Sequence, residues 1–379
     1  MLTTESYQQL KTEIRTRILE DRSILDQLRR EIVVLRPGVR RIQPRTATSI
    51  SLVAADGGNN RIQYDPFLMQ LVRVVDSSNN ELCLEVVTPN TKMSAKSAEQ
   101  FNVDGTPKTA LGYMMDYLGV RELTALSEMI NTNGADQSAS PYWIDVYREL
   151  VEWAMLFRII RTTQFGSDTL IVYDGLLRSR VFARDLFMRY REGMQDAIDQ
   201  HYARHRRRLY LVGIAKHNKV LTRYRLAMAL EKILDTDYAA YVEVPRDLER
   251  RSYIWKDFVG ENDDEQEANR VVGGKLFFVK FGDRPTDPIW PIDILFSQRS
   301  EAAVIIGHLL ADAQNGFPIP FYPLCLQKAH DNAALVDFDF DILQDQIFDS
   351  IRAALGHEAA ILDRSRIQDE DPARARYGG

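Results

Sequence analysis

The chain has 379 residues, of which 45% are hydrophobic and 27% charged, and its formal net charge is −6. This length allows one large domain or two smaller ones, and the negative charge excludes a uniformly basic coat for nucleic acid. The two cysteines, Cys83 and Cys325, lack CxxC spacing, which argues against a disulfide framework or a zinc–thiolate site and favours a reducing, cytoplasmic setting. No stretch approaches the ~18 apolar residues that span a bilayer, so we expect no membrane anchor.

The amino-terminal stretch is helical in pattern. Leucine and isoleucine at mostly helical spacings predict one amphipathic helix or a helical pair from Glu5 to about Leu35. We assign residues 1–45 to an N-terminal helical extension, residues 46–362 to the main domain and residues 363–379 to a disordered charged tail. The extension is one candidate for docking a partner, and residues 100–140 are a candidate lid or dimer contact.

Three β-forming runs follow the extension. The first, Ser49–Ala55, leads into Asp56, and the residues Gly57–Asn60 predict a turn there. The next two, Phe67–Asp76 and Glu81–Thr88, are joined by turn residues and predict an antiparallel hairpin. The start of a sheet is therefore expected before residue 90.

The middle of the chain alternates between helix and strand. The pattern predicts, in order, a helix over Tyr142–Arg161, a strand over Thr169–Asp174, a helix over Val181–Arg206, a strand over Arg208–Ala215 and a helix over Val220–Leu234. Such alternation predicts a partly parallel sheet covered by helices. Further strands over Lys275–Phe281 and Trp290–Phe296 precede helices over Arg299–Ala313, Leu324–Ala334 and Leu343–Leu362.

Two strands end in a carboxylate. Asp56 and Asp174 each follow an apolar run and precede glycine, so they are candidates for one site. Carboxylates from two strands can bind a hard divalent cation, and at a phosphodiester such an ion orients water and neutralises charge. The alternative is that each acid is merely solvated at the end of its strand.

A third acid is expected from the helix before Asp174. Glu149 and Glu152 lie one turn apart, and charged helix residues usually form only the wet face. Glu152 is favoured because it lies in the otherwise apolar stretch Val151–Phe157.

Histidine and basic residues complete the candidate list. His330, after a proline-rich segment, could ligate a metal or move a proton, although a lone histidine is more often structural. Lys216 follows a strand and could hold a phosphate. A basic helix end could meet phosphate or complement the helix dipole, and it contains Arg204, Arg206 and Arg207. The chain lacks GxxxxGK[ST], which argues against ATP hydrolysis through a P-loop.

Four segments in chain order resemble the successive motifs of the NurA nucleases. They are Ala54-Ala-Asp-Gly-Gly58, Leu170-Ile-Val-Tyr-Asp-Gly175, Gly213-Ile-Ala-Lys216 and Tyr322-Pro-Leu-Cys-Leu-Gln-Lys-Ala-His330. The resemblance covers roughly residues 45–355. The chain departs from the family pattern at Leu176, where serine is common, and at His217-Asn218, where a small hydroxyl residue is common.

The resemblance implies an RNase H-like α/β fold with a mixed sheet flanked by helices, and a homodimer. It implies a Mn²⁺- or Mg²⁺-dependent deoxyribonuclease in which Asp56, Glu152, Asp174 and His330 are the metal-binding and catalytic residues. It further implies 5′-to-3′ digestion of DNA ends for repair, possible cleavage of single strands, and a HerA-type hexameric ATPase as partner. Lys216, Arg204, Arg206 and Arg207 would contact DNA.

A hypothesis of another class is a non-catalytic subunit that keeps this fold to dock on a translocase ring and guide DNA. Carboxylates at two strand ends, together with His330, argue against it, because a scaffold does not need acids there. Substitution of Asp174 would separate the two hypotheses.

Overall fold

The computed structural model describes residues 3–45, 50–64, 67–130, 142–253, 270–334 and 337–356. Within those ranges the α-helices are α1 Thr4–Glu20, α2 Arg22–Ile32, α3 Met93–Ala98, α4 Ala110–Leu118, α5 Leu123–Leu126, α6 Tyr142–Thr162, α7 Leu186–His205, α8 Lys219–Leu230, α9 Arg246–Ser252, α10 Ala302–Gln314, α11 Leu324–Ala333 and α12 Asp337–Leu355. The 3-10 helices are Val33–Gly38 and Phe296–Glu301. No helix in the described ranges is long and apolar enough to cross a membrane.

The described strands form one sheet of mixed direction. The strands are β1 Arg40–Arg41, β2 Ile50–Tyr64, β3 Phe67–Asp76, β4 Glu81–Val87, β5 Asp168–Asp174, β6 Leu209–Ile214, β7 Ala240–Glu243, β8 Gly274–Lys280 and β9 Ile289–Leu295. Their spatial order is β1-β7-β8-β9-β6-β5-β2-β3-β4.

The direction of the strands separates the sheet into two parts. Strands β2, β3 and β4 form an antiparallel meander. Strand β5 pairs with the other side of β2, and β6 pairs with β5, both in parallel. Beyond β6 the remaining strands pair antiparallel. The five strands β4-β3-β2-β5-β6 have the order of an RNase H-like sheet, so the predicted mixed α/β fold flanked by helices is confirmed.

The central strands are buried on both faces. Along β5, Ile171 and Tyr173 join a core with α4, α6 and α7, whereas Leu170 and Val172 join a core with α10 and α11. Two-sided burial explains why β5 and β6 appear in the sequence as continuous apolar runs instead of alternating patterns. The sheet is thus the middle layer between two layers of helices.

The amino-terminal segment closes the far edge of the sheet. Ile32 and Leu35 pack with Val220 and Tyr224 of α8 in a third core. Strand β1 pairs with β7, joining Arg40 to Tyr241. The segment from α2 to β1 is therefore held by contacts with the second half of the chain.

The predicted hairpin is confirmed, but the predicted turn after Asp56 is wrong. Strand β2 continues through Gly57 and Gly58 to Tyr64, and every residue from Ala55 to Tyr64 pairs with β3. The ladder supplies backbone hydrogen bonds along this stretch, and this gain outweighs the local preference of Gly-Gly-Asn-Asn for a turn. Only the pairing with β5 ends at Ala55.

Some predicted elements need other corrections. Helix α9, and helices α3 and α4 between β4 and α6, were not predicted from the sequence. The predicted tail, residues 363–379, lies outside the described residues.

Candidate active site

The candidate site lies where β5 and β6 end. Ala55 of β2 pairs with Tyr173 of β5, so the backbone of Asp56 takes the register position beside Asp174. Asp174 in turn pairs with Ile214 of β6. The two predicted acids are therefore neighbours in backbone register, and the side chain of Asp56 lies outside the described part of the chain.

Asp174 is held by a tyrosine from the segment before α11. The Tyr322 hydroxyl donates a hydrogen bond to Asp174 Oδ1 at 2.9 Å. Tyr322 is fully buried, and its ring centroid lies 4.8 Å from that of Trp290. Lys216 Nζ lies 5.4 Å from the centre of the same ring. The structure thus brings a carboxylate to the hydroxyl of one tyrosine and a cation over its ring.

Replacement of Tyr322 by phenylalanine should weaken the site without disrupting the core. The ring and its packing on Trp290 stay, whereas the hydrogen bond that orients Asp174 is lost. The loss of a group that orients a metal ligand typically costs 10- to 100-fold, and Asp174 is a predicted metal ligand, so we expect activity to fall by about that factor. Steady-state kinetics over a range of metal concentrations measures the change, and an unaltered metal requirement would contradict this role of Tyr322.

Glu152 approaches the same site from α6. Its side chain is 14% exposed, and Glu152 Oε2 lies 3.5 Å from the Tyr173 hydroxyl. Burial raises the pKa of Tyr173 well above its usual value, and the negative charges of Glu152, Glu149 and Asp174 raise it further. Tyr173 therefore stays protonated, with Glu152 next to its hydroxyl.

Glu149 has a different set of contacts. Glu149 Oε1 accepts a hydrogen bond from the Ser179 hydroxyl at 2.7 Å and one from the indole N–H of Trp153 at 3.2 Å. It therefore ties the loop after β5 to α6. Glu152 is the acid of this pair that contacts Tyr173, and its predicted role as a metal ligand stays a prediction.

The loop after Asp174 crosses β6 at close range. Gly175 has a φ of +139°, which favours glycine, and its N–H donates to Ile214 O at 2.8 Å. A Cβ at Gly213 would lie 2.4 Å from Gly175 O and 2.9 Å from Leu177 N. Both glycines in these motifs are thus required by backbone geometry.

Alanine at Gly213 should displace this loop. Because the added carbon would meet backbone atoms instead of a flexible side chain, we expect a loss of about 1–3 kcal/mol in the free energy of unfolding. Urea denaturation measures this loss. Gly166→Ala is the matched control, since a Cβ there would come no closer than 3.7 Å to the Arg207 side chain. Equal stability of the two variants would contradict the close approach.

A buried ion network anchors the same loop. The Arg178 guanidinium donates to Asp293 through Nε at 2.7 Å and Nη2 at 2.8 Å, and to Glu249 through Nη1 at 2.6 Å. The side chains of Arg178, Asp293 and Glu249 are 4%, 0% and 7% exposed. Burial lowers the pKa of Arg178, but the two carboxylates outweigh it and hold that pKa well above its usual value. Arg178 is therefore a fixed cation joining β9 and α9 to the loop.

The residues after Lys216 have a structural role. Asn218 Oδ1 accepts the N–H of Leu221 at 3.0 Å and so caps α8 at its amino terminus. Leu176, the other departure from the family pattern, packs partly buried against the core of α8 and β8. Both departures therefore serve the fold around the site.

The other predicted residues lie elsewhere. Arg204, Arg206 and Arg207 follow or end α7, just before β6 begins, whereas Asp174 lies at the opposite, carboxyl end of the parallel strand β5. His330 is exposed on α11, which packs on β2 and β3. Contact of the three arginines with DNA and catalysis by His330 stay predictions.

Sequence reasoning missed Tyr173, Tyr322 and Arg178 as parts of the site. Both tyrosines lie inside the recognised motifs, yet tyrosine in an apolar run or a proline-rich segment is more often part of the core. Arg178 has partners 71 and 115 residues away, so local spacing gives no signal for it.

The donor set fits a hard divalent cation. No three His, Cys, Asp or Glu side chains that the structure describes lie close enough together to hold a metal ion. Glu152, beside the Tyr173 hydroxyl, and Asp174, at the end of β5, offer carboxylate oxygens, and such ligands suit Mg²⁺ or Mn²⁺. A third ligand would come from the register position of Asp56.

Comparison with known proteins gives matches among solved structures. No family model and no curated protein sequence matches the chain. The NurA nuclease from Sulfolobus solfataricus is similar over 94% of this chain and 99% of its own, with 12% identity and a TM-score of 0.47. A NurA structure bound to dAMP and manganese is similar over 88% of this chain and 94% of its own, with 11% identity and a TM-score of 0.34. These structures carry the family name that the four motifs indicated.

Proposed function

We propose that the chain is a metal-dependent deoxyribonuclease that hydrolyses phosphodiester bonds at the Asp174 site. The observation that carries the proposal is Asp174 at the end of β5, held by the Tyr322 hydroxyl with Lys216 over the same ring, and Glu152 beside the hydroxyl of the preceding residue, Tyr173. A half-buried acid at the end of a parallel strand, with a cation beside the tyrosine that holds it, suits a metal ion and a phosphate. The sequence motifs support the same chemistry.

Each residue then has a distinct task. Glu152 and Asp174, with Asp56, would hold Mn²⁺ or Mg²⁺, which supplies charge neutralisation and water activation at the phosphorus. Lys216 would contact a phosphate oxygen as a point charge. The Tyr322 and Tyr173 hydroxyls would keep the two carboxylates in place, and His330 would move a proton to or from water.

The finer assignments rest on the motif resemblance. They are 5′-to-3′ exonuclease activity, possible endonuclease activity on single strands, a homodimer, and DNA end processing for repair in the cytoplasm with a HerA-type hexameric ATPase. Digestion of duplexes labelled at one 5′ or 3′ end tests the polarity. Size-exclusion chromatography with light scattering, with and without the ATPase, tests the assembly.

The direct test is degradation of end-labelled linear DNA by the purified chain in Mn²⁺, Mg²⁺ or EDTA. We expect cleavage with either metal and none in EDTA. Absence of cleavage in every metal, with the ATPase also supplied, would overturn the proposal and favour the DNA-guiding subunit.

Glu152→Gln and Glu149→Gln should give opposite results in that assay. Glutamine at 152 removes a charged ligand, so we expect activity to fall by at least about 10²-fold at unchanged stability. Glutamine at 149 weakens the hydrogen bonds from Ser179 and Trp153, and we expect a loss of about 1–2 kcal/mol in the free energy of unfolding with most activity retained. The reverse pattern would assign the metal to Glu149.

A further inference from the structure

A small cleft lies between the carboxyl-terminal ends of α6 and α7. Its volume of about 170 Å³ is below the range of about 300–1,000 Å³ that is typical of sites for whole small molecules. Helix α6 leads into the start of β5, and α7 leads into the start of β6. Because Asp174 ends β5, the cleft lies at the opposite end of the sheet, roughly 20 Å away along the strand. The cleft is therefore separate from the candidate active site, and its size suits a single phosphate group.

Four basic side chains line this cleft, and they are Arg161, His201, Arg204 and His205. Arg161 belongs to the last turn of α6, and Arg204 and His205 belong to the last turn of α7. The unpaired carbonyl groups at a helix end amount to about half a negative charge, whereas each guanidinium carries a full positive charge. The two arginines thus outweigh the two helix ends. These side chains favour an anion over a cation in the cleft.

Neutral partners hold the two guanidinium groups. Arg161 donates to Gly193 O at 2.7 Å and to the Tyr113 hydroxyl at 3.3 Å. Arg204 Nη2 donates to Gln200 Oε1 at 3.3 Å. Carbonyl, hydroxyl and amide oxygens orient a guanidinium without cancelling its charge. Both cations are therefore positioned at the cleft with a charge to offer to a ligand.

His201 supplies a buried nitrogen that lacks a partner. The residue is 8% exposed, and within the described part of the chain its Nε2 atom has no hydrogen-bond partner. Its ring centroid lies 5.8 Å from that of Phe165 and 5.0 Å from that of His205, which is exposed and can turn to admit a ligand. Burial lowers the pKa of His201, and the charges of His205 and Arg207 lower it further, so the imidazole is neutral near pH 7. A buried polar group without a partner costs stability, and a ligand oxygen would supply the missing partner.

We propose that this cleft binds a phosphate group, with its charge held by Arg161 and Arg204 and its oxygens accepting hydrogen bonds from His201 and His205. The phosphate can belong to a small phosphate compound or to the backbone of a DNA strand, because both present the same oxygens. The proposal goes beyond the nuclease function and does not require it.

Calorimetric titration of the full chain with inorganic phosphate in EDTA, at constant ionic strength, tests the proposal. EDTA removes the metal ions that could hold phosphate at Asp174, so the titration reports metal-independent binding. We expect saturable binding of phosphate. The substitutions that follow show whether the cleft is where it binds.

Arg204→Met and His201→Phe locate the binding. Arg204 is exposed, so the loss of its charge should weaken phosphate binding about tenfold without altering the fold. Phenylalanine keeps a ring against Phe165 but removes both nitrogens of His201, so binding should weaken while the midpoint of urea denaturation stays the same or rises. A purely structural His201 would give a lower midpoint with unchanged binding. Arg225→Met, at an exposed arginine of α8, is the control and should leave phosphate binding unchanged.

A single-stranded oligonucleotide with a 5′-hydroxyl, whose phosphates are all internal, separates the two sources. Its binding in EDTA is measured by fluorescence anisotropy on the same variants. If both substitutions weaken the oligonucleotide, the DNA backbone is the source, whereas weakening of inorganic phosphate alone identifies a small phosphate compound. If neither ligand is weakened by Arg204→Met and His201→Phe, the proposal is wrong.

A zinc titration without EDTA tests the opposite assignment, because two histidines one helical turn apart can also chelate a transition metal. Zn²⁺ binding that His201→Phe abolishes, in a protein that does not bind phosphate, would overturn the proposal in favour of a metal site. Metal-dependent cleavage of DNA is measured separately, so a failure here is distinguishable from a failure of the nuclease proposal.

Discussion

Replacing Asp174 with asparagine is expected to lower metal-dependent cleavage of linear DNA by at least about 10²-fold and to leave the fold intact. Asparagine keeps the volume of the side chain and an acceptor for the Tyr322 hydroxyl. It removes the negative charge that a divalent cation needs at this position. Initial rates on end-labelled DNA in Mn²⁺ and Mg²⁺ measure the loss.

Asp168→Asn is the matched control, because Asp168 begins the strand that Asp174 ends. Asp168 Oδ1 accepts the backbone N–H of Arg208 at 2.8 Å, so it serves the fold at the opposite end of β5. We expect that variant to keep its activity. If Asp174→Asn cleaves DNA at the original rate, the assignment of the site is wrong. If cleavage is lost, a DNA-binding assay on the same variant shows whether only the chemical step was affected.

Replacing Arg178 with methionine is expected to lower the free energy of unfolding by about 3–5 kcal/mol. The reason is that Asp293 and Glu249, 0% and 7% exposed, would lose the cation that compensates for their burial. Methionine fills a similar volume, so the loss reports the charge more than the packing. Urea denaturation measures the change.

Arg121→Met is the control at the surface. Arg121 pairs with Asp116 at 2.7 Å, but the two side chains are 57% and 45% exposed. Solvent screens such a pair, so we expect a change of about 0.2–1 kcal/mol. A similar small change for Arg178→Met would show that the buried network does not anchor the loop after Asp174.

The fold was most predictable where burial leaves a continuous signal. Strands β5 and β6 are buried on both faces, and they were found from their apolar runs alone. The end of β2 was mispredicted because its extension depends on β3, whose register is not encoded in the local preference of Gly57-Gly58. Helix α9 was missed because it is short and charged. Its Glu249 is buried through an ion pair with Arg178, which lies 71 residues away in the chain.

The candidate site was predictable in its acids but not in its supports. An acid at the end of an apolar strand is visible in the sequence, which is how Asp174 was found. One helical turn separates Glu149 from Glu152, so periodicity cannot choose between them, whereas the contacts with Ser179 and Tyr173 distinguish the two. Tyr322 is 148 residues from Asp174, and only the folded chain brings the two together.

The pairing of β1 with β7 also constrains how the protein is made. Arg40 must wait for Tyr241, about 200 residues later in the chain, before its strand has a partner. At a translation rate of about 5–20 residues per second, the amino-terminal segment remains without its docking surface for about 10–40 s on the ribosome. The amino-terminal segment is therefore made long before the strand and helix that it packs against, and its apolar side chains, such as Ile32 and Leu35, need protection during that interval.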